Sequence, residues 1–176
     1  MGPAFMAILG VVVAIFLVQA ANGIIGIMVP LSLGLAGNAP FVVGIVVTAH
    51  SLGFCVGGLA GAAAVGGFGF KRCFAAAALV MAVAVAGLMV HVDPWLWAPL
   101  RFAAGVASAL IFMVAESWIN VATPGIVRGR VLSLYMISNR IAFALGQLLL
   151  AGMGNVEAVY FALSAFCYGL AIWPLA

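Results

Sequence analysis

Residues 95–135 contain the side chains that are hardest to explain by packing alone. Their sequence is WLWAPLRFAAGVASALIFMVAESWINVATPGIVRGRVLSLY. Arg101 and Glu116 lie inside one apolar segment, and after a Thr-Pro-Gly turn Arg128 and Arg130 open the next one. Charged residues make up only 5% of the chain. Because an ion within an apolar membrane segment is costly unless it faces a partner or a wet cavity, this pattern indicates functional polar positions.

The first apolar segment carries its polar residues on one face. Arg101, Gly105, Ser108, Phe112 and Glu116 recur at spacings of three and four, as on one stripe of a helix. An unpaired charge at bilayer depth costs ~2.5–3.5 kcal/mol, so we expect this stripe to be shielded from lipid. Arg101 lies within ~10 Å of the predicted outer boundary. Snorkelling to that boundary is therefore an alternative for Arg101.

The next apolar segment carries a deeper charge. Arg140 lies ~14 Å beyond the start of the segment, too deep to snorkel easily. Its stripe contains Gln147, with Asn139 beside it. Because the two segments are antiparallel across a short loop, an ion pair between Arg140 and Glu116 is plausible. The alternative is that Arg140 meets water and backbone carbonyls while Glu116 interacts with the inner loop.

Two earlier polar groups are further candidates. Gln19 and Asn22 lie near one helical face with Gly23 and Gly26, which predicts either a packing face or a cavity wall. His50 lies in the middle of the second apolar segment. A membrane histidine either bonds to a neighbouring helix or carries a proton, and both interpretations stay open.

Composition places these residues in a membrane protein. The chain is 68% hydrophobic and its mean hydropathy is +1.40, whereas a soluble surface needs roughly 25% charged residues. A crossing uses ~20 residues, so 176 residues allow about six crossings. The net charge of +3 is dispersed, so neither a nucleic-acid partner nor a polybasic lipid patch is predicted. We predict an all-α integral membrane protein with one six-helix bundle over residues 1–176, whose spans are 4–33, 41–64, 74–92, 95–119, 131–152 and 158–176.

The distribution of charge predicts the topology. Lys71, Arg72, Arg128 and Arg130 fall in two predicted loops on one side, whereas Asp93 and Glu157 fall in turns on the other. The positive-inside rule then places both termini in the cytoplasm, in the cell inner (plasma) membrane. The first apolar stretch has no basic n-region and exceeds the usual ~15-residue signal core, so no cleaved signal peptide is expected.

No enzyme pattern competes with a membrane role. The acids Asp93, Glu116 and Glu157 are too scattered for a paired-carboxylate site, and no spacing suggests a Ser-His-acid triad. The two histidines and three cysteines form no metal motif, and the cysteines read as core residues. The Gly-rich stretch 66–69 lacks the lysine and hydroxyl of a phosphate loop. We expect no enzymatic activity, no metal and no cofactor.

Four segments together resemble the amino-terminal half of a major facilitator superfamily transporter, closest to a poorly characterised bacterial subgroup. They are residues 53–75, which end in FKRCFA, then VDPWLW at 92–97, residues 101–105, and ESWIN at 116–120 followed by RGRV at 128–131 and Tyr135. The resemblance covers nearly the whole chain. It implies one six-helix half of that fold, made of two inverted three-helix repeats.

The resemblance also implies roles for single residues. Gly61, Lys71 and Arg72 match a loop that latches one conformational state, although residues 62–70 lack the acid of the family pattern. Arg101 matches an arginine of the central cavity. The fold needs a second six-helix bundle, so we expect a fragment of a longer chain, or another subunit that rebuilds the site.

The function predicted from this pattern is secondary active transport of a small molecule by alternating access. Arg101 and Arg140 would face the cavity and attract an anionic or polar substrate, with Glu116 as the first candidate for proton coupling and proton-coupled efflux as one possible form. The alternatives are a non-transporting six-helix membrane scaffold or regulator, and an inactive truncated transporter.

Overall fold

A computed structural model describes residues 3–153 and 157–175 of the chain, and it is all-α over these residues. The helices are α1 (Pro3–Leu35), α2 (Pro40–Phe68), α3 (Phe70–Leu88), α4 (Pro94–Ala122), α5 (Gly125–Met153) and α6 (Glu157–Leu170). The first five are long and apolar enough to cross a membrane, whereas α6 has only 14 residues. The chain is an integral membrane protein, as predicted, with five helices of spanning length and one shorter apolar helix.

Two predicted loops are mostly helical. Only Gly69 separates α2 from α3, with a φ of +74° that lets the chain reverse direction, so Lys71 and Arg72 lie in the first turn of α3. Helix α5 begins at Gly125, so Arg128 and Arg130 lie within its first turns. The predicted loops were too long because glycines elsewhere in these stretches remain helical, which satisfies their backbone groups internally.

The end of the chain also differs from the prediction. Helix α6 stops at Leu170 instead of continuing to the end of the predicted span, and a short 3₁₀ helix follows at Trp173–Leu175. Pro174 lacks a backbone N–H and disfavours the α conformation at the residue before it, which explains why the α-helix does not resume. Residues 154–156 of the predicted outer turn at 154–157 lie outside the described residues, and Glu157 is the first residue of α6.

Helices α1 and α4 form the centre of the bundle. Helix α1 packs on α5 and α6, α4 packs on α2 and α3, and α3 also meets α6. The fully buried side chains include Ile15 and Ile24 of α1 and Trp97 and Ile111 of α4. Helices α2 and α5 are at the margins, and the described part of α2 buries only the narrow face formed by Val46, Gly53, Gly57 and Gly61.

Glycines bring the marginal helices close to the central ones. A methyl group at Gly53 would collide with the carbonyl of Phe102, and one at Gly105 would collide with the carbonyl of His50. Between α1 and α5, Gly23 approaches the carbonyl of Phe143 in the same way. Such close backbone approach drives helix association in a bilayer, where apolar burial contributes little.

The same contacts fix the direction of the helices. Gly53, Gly57 and Gly61 meet α4 at Phe102, Val106 and Leu110 in turn, so α2 and α4 run in parallel. The α2–α3 and α4–α5 junctions therefore lie at one end of the bundle. At that end Phe70 stacks on Trp118 with a centroid distance of 6.0 Å.

The opposite end contains the Asp93 turn. Asp93 caps α4, because its Oδ1 accepts a hydrogen bond of 2.9 Å from the backbone N–H of Trp95. Trp97 Nε1 donates to the carbonyl of His91 at 2.8 Å, and its ring meets Phe161 edge-on. Trp95 is largely exposed, as expected of an interface residue, but Trp97 is fully buried and belongs to the core.

Candidate functional site

The polar residues of α1, α2, α4 and α5 meet around a cavity of about 540 Å³. No described residue of α3 or α6 lines it, so the cavity is bounded by the two central and the two marginal helices. Its lining residues are Gln19, Asn22, Gly26, His50, Phe54, Arg101, Ser108, Phe112, Glu116, Tyr135, Met136, Asn139, Arg140 and Phe143. Cations, an acid, amides and aromatic rings are thus brought to one site.

Arg101 is the deepest charge in this site. Its side chain is only 8% exposed and lines the cavity, so it turns into the bundle and does not snorkel to the membrane boundary. Its Nε is buried without a hydrogen-bond partner. The phenol of Tyr168 and the imidazole of His50 are close enough to interact with the guanidinium electrostatically. A buried guanidinium with an unused donor is suited to bind an anionic or hydrogen-bond-accepting group.

Glu116 and Arg140 line the same cavity, but they are not paired. No nitrogen of Arg140 lies within 4.0 Å of a carboxylate oxygen of Glu116, so the ion pair considered from the sequence is not formed in this structure. The physical reason is the order of packing: α5 lies against α1 and α4 lies against α2, so α4 and α5 touch only slightly although they are consecutive in sequence. Both side chains are exposed to the open side of the cavity, where water can solvate them.

The polar cluster on α1 is part packing surface and part cavity wall. Tyr168 donates a hydrogen bond of 2.8 Å to Asn22 Oδ1, and Asn22 Nδ2 donates one of 2.9 Å to Gln19 Oε1. Gly23 packs against α5, whereas Gly26 lines the cavity. Both interpretations drawn from the sequence therefore apply, each to different residues. The network fixes the orientation of the two amides at the cavity wall.

Several buried polar atoms at the cavity make no hydrogen bond within 3.5 Å to any described residue. They are His50 Nδ1, Tyr135 Oη and Asn139 Oδ1. Native proteins rarely leave such atoms unsatisfied, and at a polar cavity water or a ligand is their usual partner. His50 is half-buried on α2 and lines the cavity. Gln147, which was predicted with this group, is half-buried and is not among the lining residues.

The residues predicted to form a latch lie away from the cavity. Gly61 packs against Met113 and Leu110 of α4. Lys71 and Arg72 are exposed at the start of α3. Arg128 Nη2 donates to the carbonyl of Thr123 at 3.3 Å, where it helps to satisfy the end of α4, and Arg130 is exposed.

Sequence reasoning missed the aromatic part of the site. Phe54, Phe143 and Tyr135 line the cavity but were not predicted as site residues. Tyr168 was missed as well, although a signal existed. Tyr160, Ser164 and Tyr168 are spaced by four residues in an otherwise apolar segment, and all three are buried. That spacing predicts a polar stripe turned toward the protein interior.

Comparison with known proteins shows the family of the chain. The profile of the Major Facilitator Superfamily matches residues 11–176. The chain belongs to the Major Facilitator Superfamily. Membership makes this membrane protein part of a transporter family, in line with the prediction, and gives no support for an enzyme. No solved structure matches the chain significantly.

The chain is similar to major facilitator proteins of enteric bacteria. It is 34% identical over 137 residues to the uncharacterized MFS-type transporter YcaD of Salmonella enteritidis PT4. The aligned region covers 78% of this chain and 36% of that protein. An uncharacterized MFS-type transporter of Yersinia pestis is 34% identical over 127 residues, covering 72% of this chain and 33% of that protein. YcaD of Escherichia coli O139:H28 is 32% identical over 137 residues. The match thus spans about a third of each relative's length.

Proposed function

We propose that this chain is the amino-terminal bundle of a secondary active transporter that moves a small polar or anionic molecule by alternating access. The observation that carries the proposal is the cavity shared by α1, α2, α4 and α5. It gathers Arg101, Arg140, Glu116 and His50 in a chain that is otherwise almost without charge. A scaffold would be expected to pack its polar residues against one another, whereas these side chains surround open space.

The packing pattern supports two inverted three-helix repeats. In such repeats α4, α5 and α6 correspond to α1, α2 and α3. Under this correspondence the contact between α2 and α4 is equivalent to the contact between α5 and α1. The contact between α3 and α4 is likewise equivalent to the contact between α6 and α1, and the contact between α3 and α6 corresponds to itself. All of these contacts occur. Such a correspondence is expected of repeats related by a two-fold axis in the membrane plane.

The close-contact glycines support the same relation residue by residue. Between α2 and α4, Gly105 meets His50 while Gly53 meets Phe102. Between α1 and α5, Gly23 meets Phe143 while Gly146 meets Ala20, and the partners are separated by the same three residues on each helix.

Counting from these glycines gives equivalent cavity positions. Arg101 lies four residues before Gly105, and Gln19 lies four residues before Gly23, so the two are equivalent. Both line the cavity. If the repeats are related in this way, the same cavity position is a cation in one repeat and a neutral amide in the other.

We place the Arg128 and Lys71 junctions in the cytoplasm of a bacterial inner membrane, with both termini on the same side. The α2–α3 and α4–α5 junctions lie at one end of the bundle and carry Lys71, Arg72, Arg128 and Arg130. Positive residues of this kind favour the cytoplasmic side. The turn with Asp93 lies at the other end.

The open side of the cavity would be completed by a second six-helix bundle, in the same longer chain or as another subunit. The marginal helices α2 and α5 support this expectation, because little of their surface is buried within this bundle. Arg101 and Arg140 would attract a carboxylate, a phosphate or a similarly polar group. Glu116, the only acid on a spanning helix, is the proposed proton-coupling group, with His50 as a second candidate.

Glu116→Gln tests proton coupling without removing the side chain. We expect proteoliposomes of the complete transporter to lose solute accumulation driven by a pH gradient. Solute exchange at equal pH should continue, because a carboxamide keeps the shape and polarity of the site. Proton-coupled export is the direction to measure first, with an internal pH dye as the readout. If the variant retained gradient-driven accumulation, the proposed role of Glu116 would be wrong.

A further inference from the structure

A second cavity lies outside the polar site, on the outer surface of the bundle. Its volume is about 580 Å³, and its walls come from α2, α3 and α4. Along α3 it follows Arg72, Ala76 and Val80, which are spaced by four residues and so form one stripe. Apart from Arg72 the described lining is wholly apolar. The cavity is thus a groove parallel to the helices, with a cation near one end.

The groove exists because α2 and α3 pack side by side on the same helix, α4. Helices α2 and α3 both pack on α4 but contact each other only slightly. The groove walls there carry small side chains, such as Ala76 and Ala77 on α3 and Ala103 and Ala107 on α4. No side chain of the described bundle fills the gap. An unfilled apolar gap of this size lacks the dispersion contacts that its walls would otherwise make.

Its dimensions match half a bilayer. From Arg72 to Val80 the groove runs ~12 Å along the helix axis at 1.5 Å per residue. One leaflet of hydrocarbon is ~15 Å thick, half of the ~30 Å core. An acyl chain entering beside Arg72 would therefore lie along the groove toward the middle of the membrane.

The charge at the groove's end selects the headgroup. Arg72 is exposed and lines the groove, and Lys71, which is also exposed, precedes it on the same turn of α3. A guanidinium binds phosphate through two parallel hydrogen bonds. The only acid within a spanning helix, Glu116, lines the other cavity. The surroundings of Arg72 therefore favour a lipid with net negative charge over a zwitterionic one.

We propose that this groove is a binding site for one anionic phospholipid of the leaflet that adjoins Lys71 and Arg72. One acyl chain lies between α2 and α3 against the alanines of α4, and the phosphate binds Arg72. Two cations are too few for a polybasic patch, but a shaped apolar seat beside them makes a specific site. The bound lipid would act as a wedge that holds α2 and α3 apart on α4.

Photo-crosslinking in nanodiscs tests the site. The full chain would be incorporated with trace phosphatidylglycerol or phosphatidylcholine bearing a diazirine on one acyl chain, and the labelled peptides would be mapped by mass spectrometry. We expect labelling along 76–80 and 103–110 to be about fivefold stronger with phosphatidylglycerol, from ~1 kcal/mol per basic residue near the surface. Labelling of the exposed surface of α6 around Phe166, which is 64% exposed and lines neither cavity, serves as the reference for ordinary boundary lipid.

Three variants separate the proposal from its alternatives. Arg72→Gln should remove most of the fivefold preference, whereas Arg130→Gln removes the same charge at the same end of the bundle, outside the groove, and should leave it intact. Val80→Trp should fill the groove and block labelling by both lipids, with helicity checked by circular dichroism. Equal labelling by the two lipids in the unmodified chain, or equal effects of Arg72→Gln and Arg130→Gln, would overturn the proposal. Absence of label from the groove with both lipids would mean that protein covers it, which would also overturn it.

Discussion

Replacing Gly53 with alanine probes the contact that positions α2 on α4. The added methyl group would collide with the carbonyl oxygen of Phe102 and would lie 2.9 Å from its carbonyl carbon and 3.1 Å from its Cα. These are backbone atoms of a helix, so they cannot move aside as a flexible side chain can. The two helices must separate. Gly58 on the same helix is the matched control, because a methyl group there meets no atom within 4 Å.

The expected magnitude follows from two opposing effects. Overpacking a tight contact costs ~1–3 kcal/mol, and alanine recovers ~0.5–1 kcal/mol of helix stability relative to glycine. Gly53→Ala should therefore lower the free energy of unfolding by about 1–2 kcal/mol, whereas Gly58→Ala should leave it unchanged or raise it slightly. At roughly 2–4 °C per kcal/mol for a chain of this size, the melting temperature of Gly53→Ala should fall by about 2–8 °C.

Thermal unfolding in mild detergent can be followed with a dye that becomes fluorescent on reaction with thiols. Cys73 is buried and reports unfolding, whereas Cys55 is exposed and should first be replaced by serine. Both glycine variants would be measured in that background. Equal melting temperatures for Gly53→Ala and Gly58→Ala would refute the close approach of α2 and α4 on which the site geometry depends.

Two further predictions concern hydrogen bonds, one between α6 and α1 and one between α4 and the turn before it. Tyr168→Phe removes the donor to Asn22 Oδ1 and should lower the free energy of unfolding by ~1 kcal/mol. A double-mutant cycle with Asn22→Ala should show that the effects of the two substitutions are coupled. Additive effects would contradict the hydrogen bond. Trp97→Phe removes the bond to the carbonyl of His91 and should destabilise by ~1–3 kcal/mol in the same assay, whereas exposed Trp95→Phe should stay within ~0.5 kcal/mol. Similar losses for the two tryptophan variants would argue against the burial of Trp97.

The sequence predicted the class and much of the site because in this chain polarity is rare. Arg101, Glu116 and Arg140 stand out against apolar neighbours, and all three line the cavity. Helical spacing was enough to place each of them on an inward face. The apolar aromatic wall gave no such contrast. Phe54 and Phe143 look like any other membrane-helix phenylalanine until the packing of α2 and α5 is known.

Pairings between helices were harder to predict than positions on them. The Arg140–Glu116 pair, one of two alternatives drawn from the sequence, is not formed because α5 packs on α1 and touches α4 only slightly. Loop lengths failed because single residues can reverse the chain, as Gly69 does between α2 and α3. The groove beside Arg72 could not be predicted from the sequence either, because it is the space that α2 and α3 leave unfilled between them.

We propose that the polar stripes enclose a water-filled cavity and not a closed packing interface. Met136 and Ile137 on α5 provide a matched test, because both are 56% exposed but only Met136 lines the cavity. Each would be replaced by cysteine in a chain without other cysteines and treated in membranes with a water-soluble, membrane-impermeant maleimide. We predict rapid labelling of Met136→Cys and protection of Ile137→Cys. Protection of both would show that water does not reach this face, and the transport proposal would give way to a non-transporting membrane scaffold.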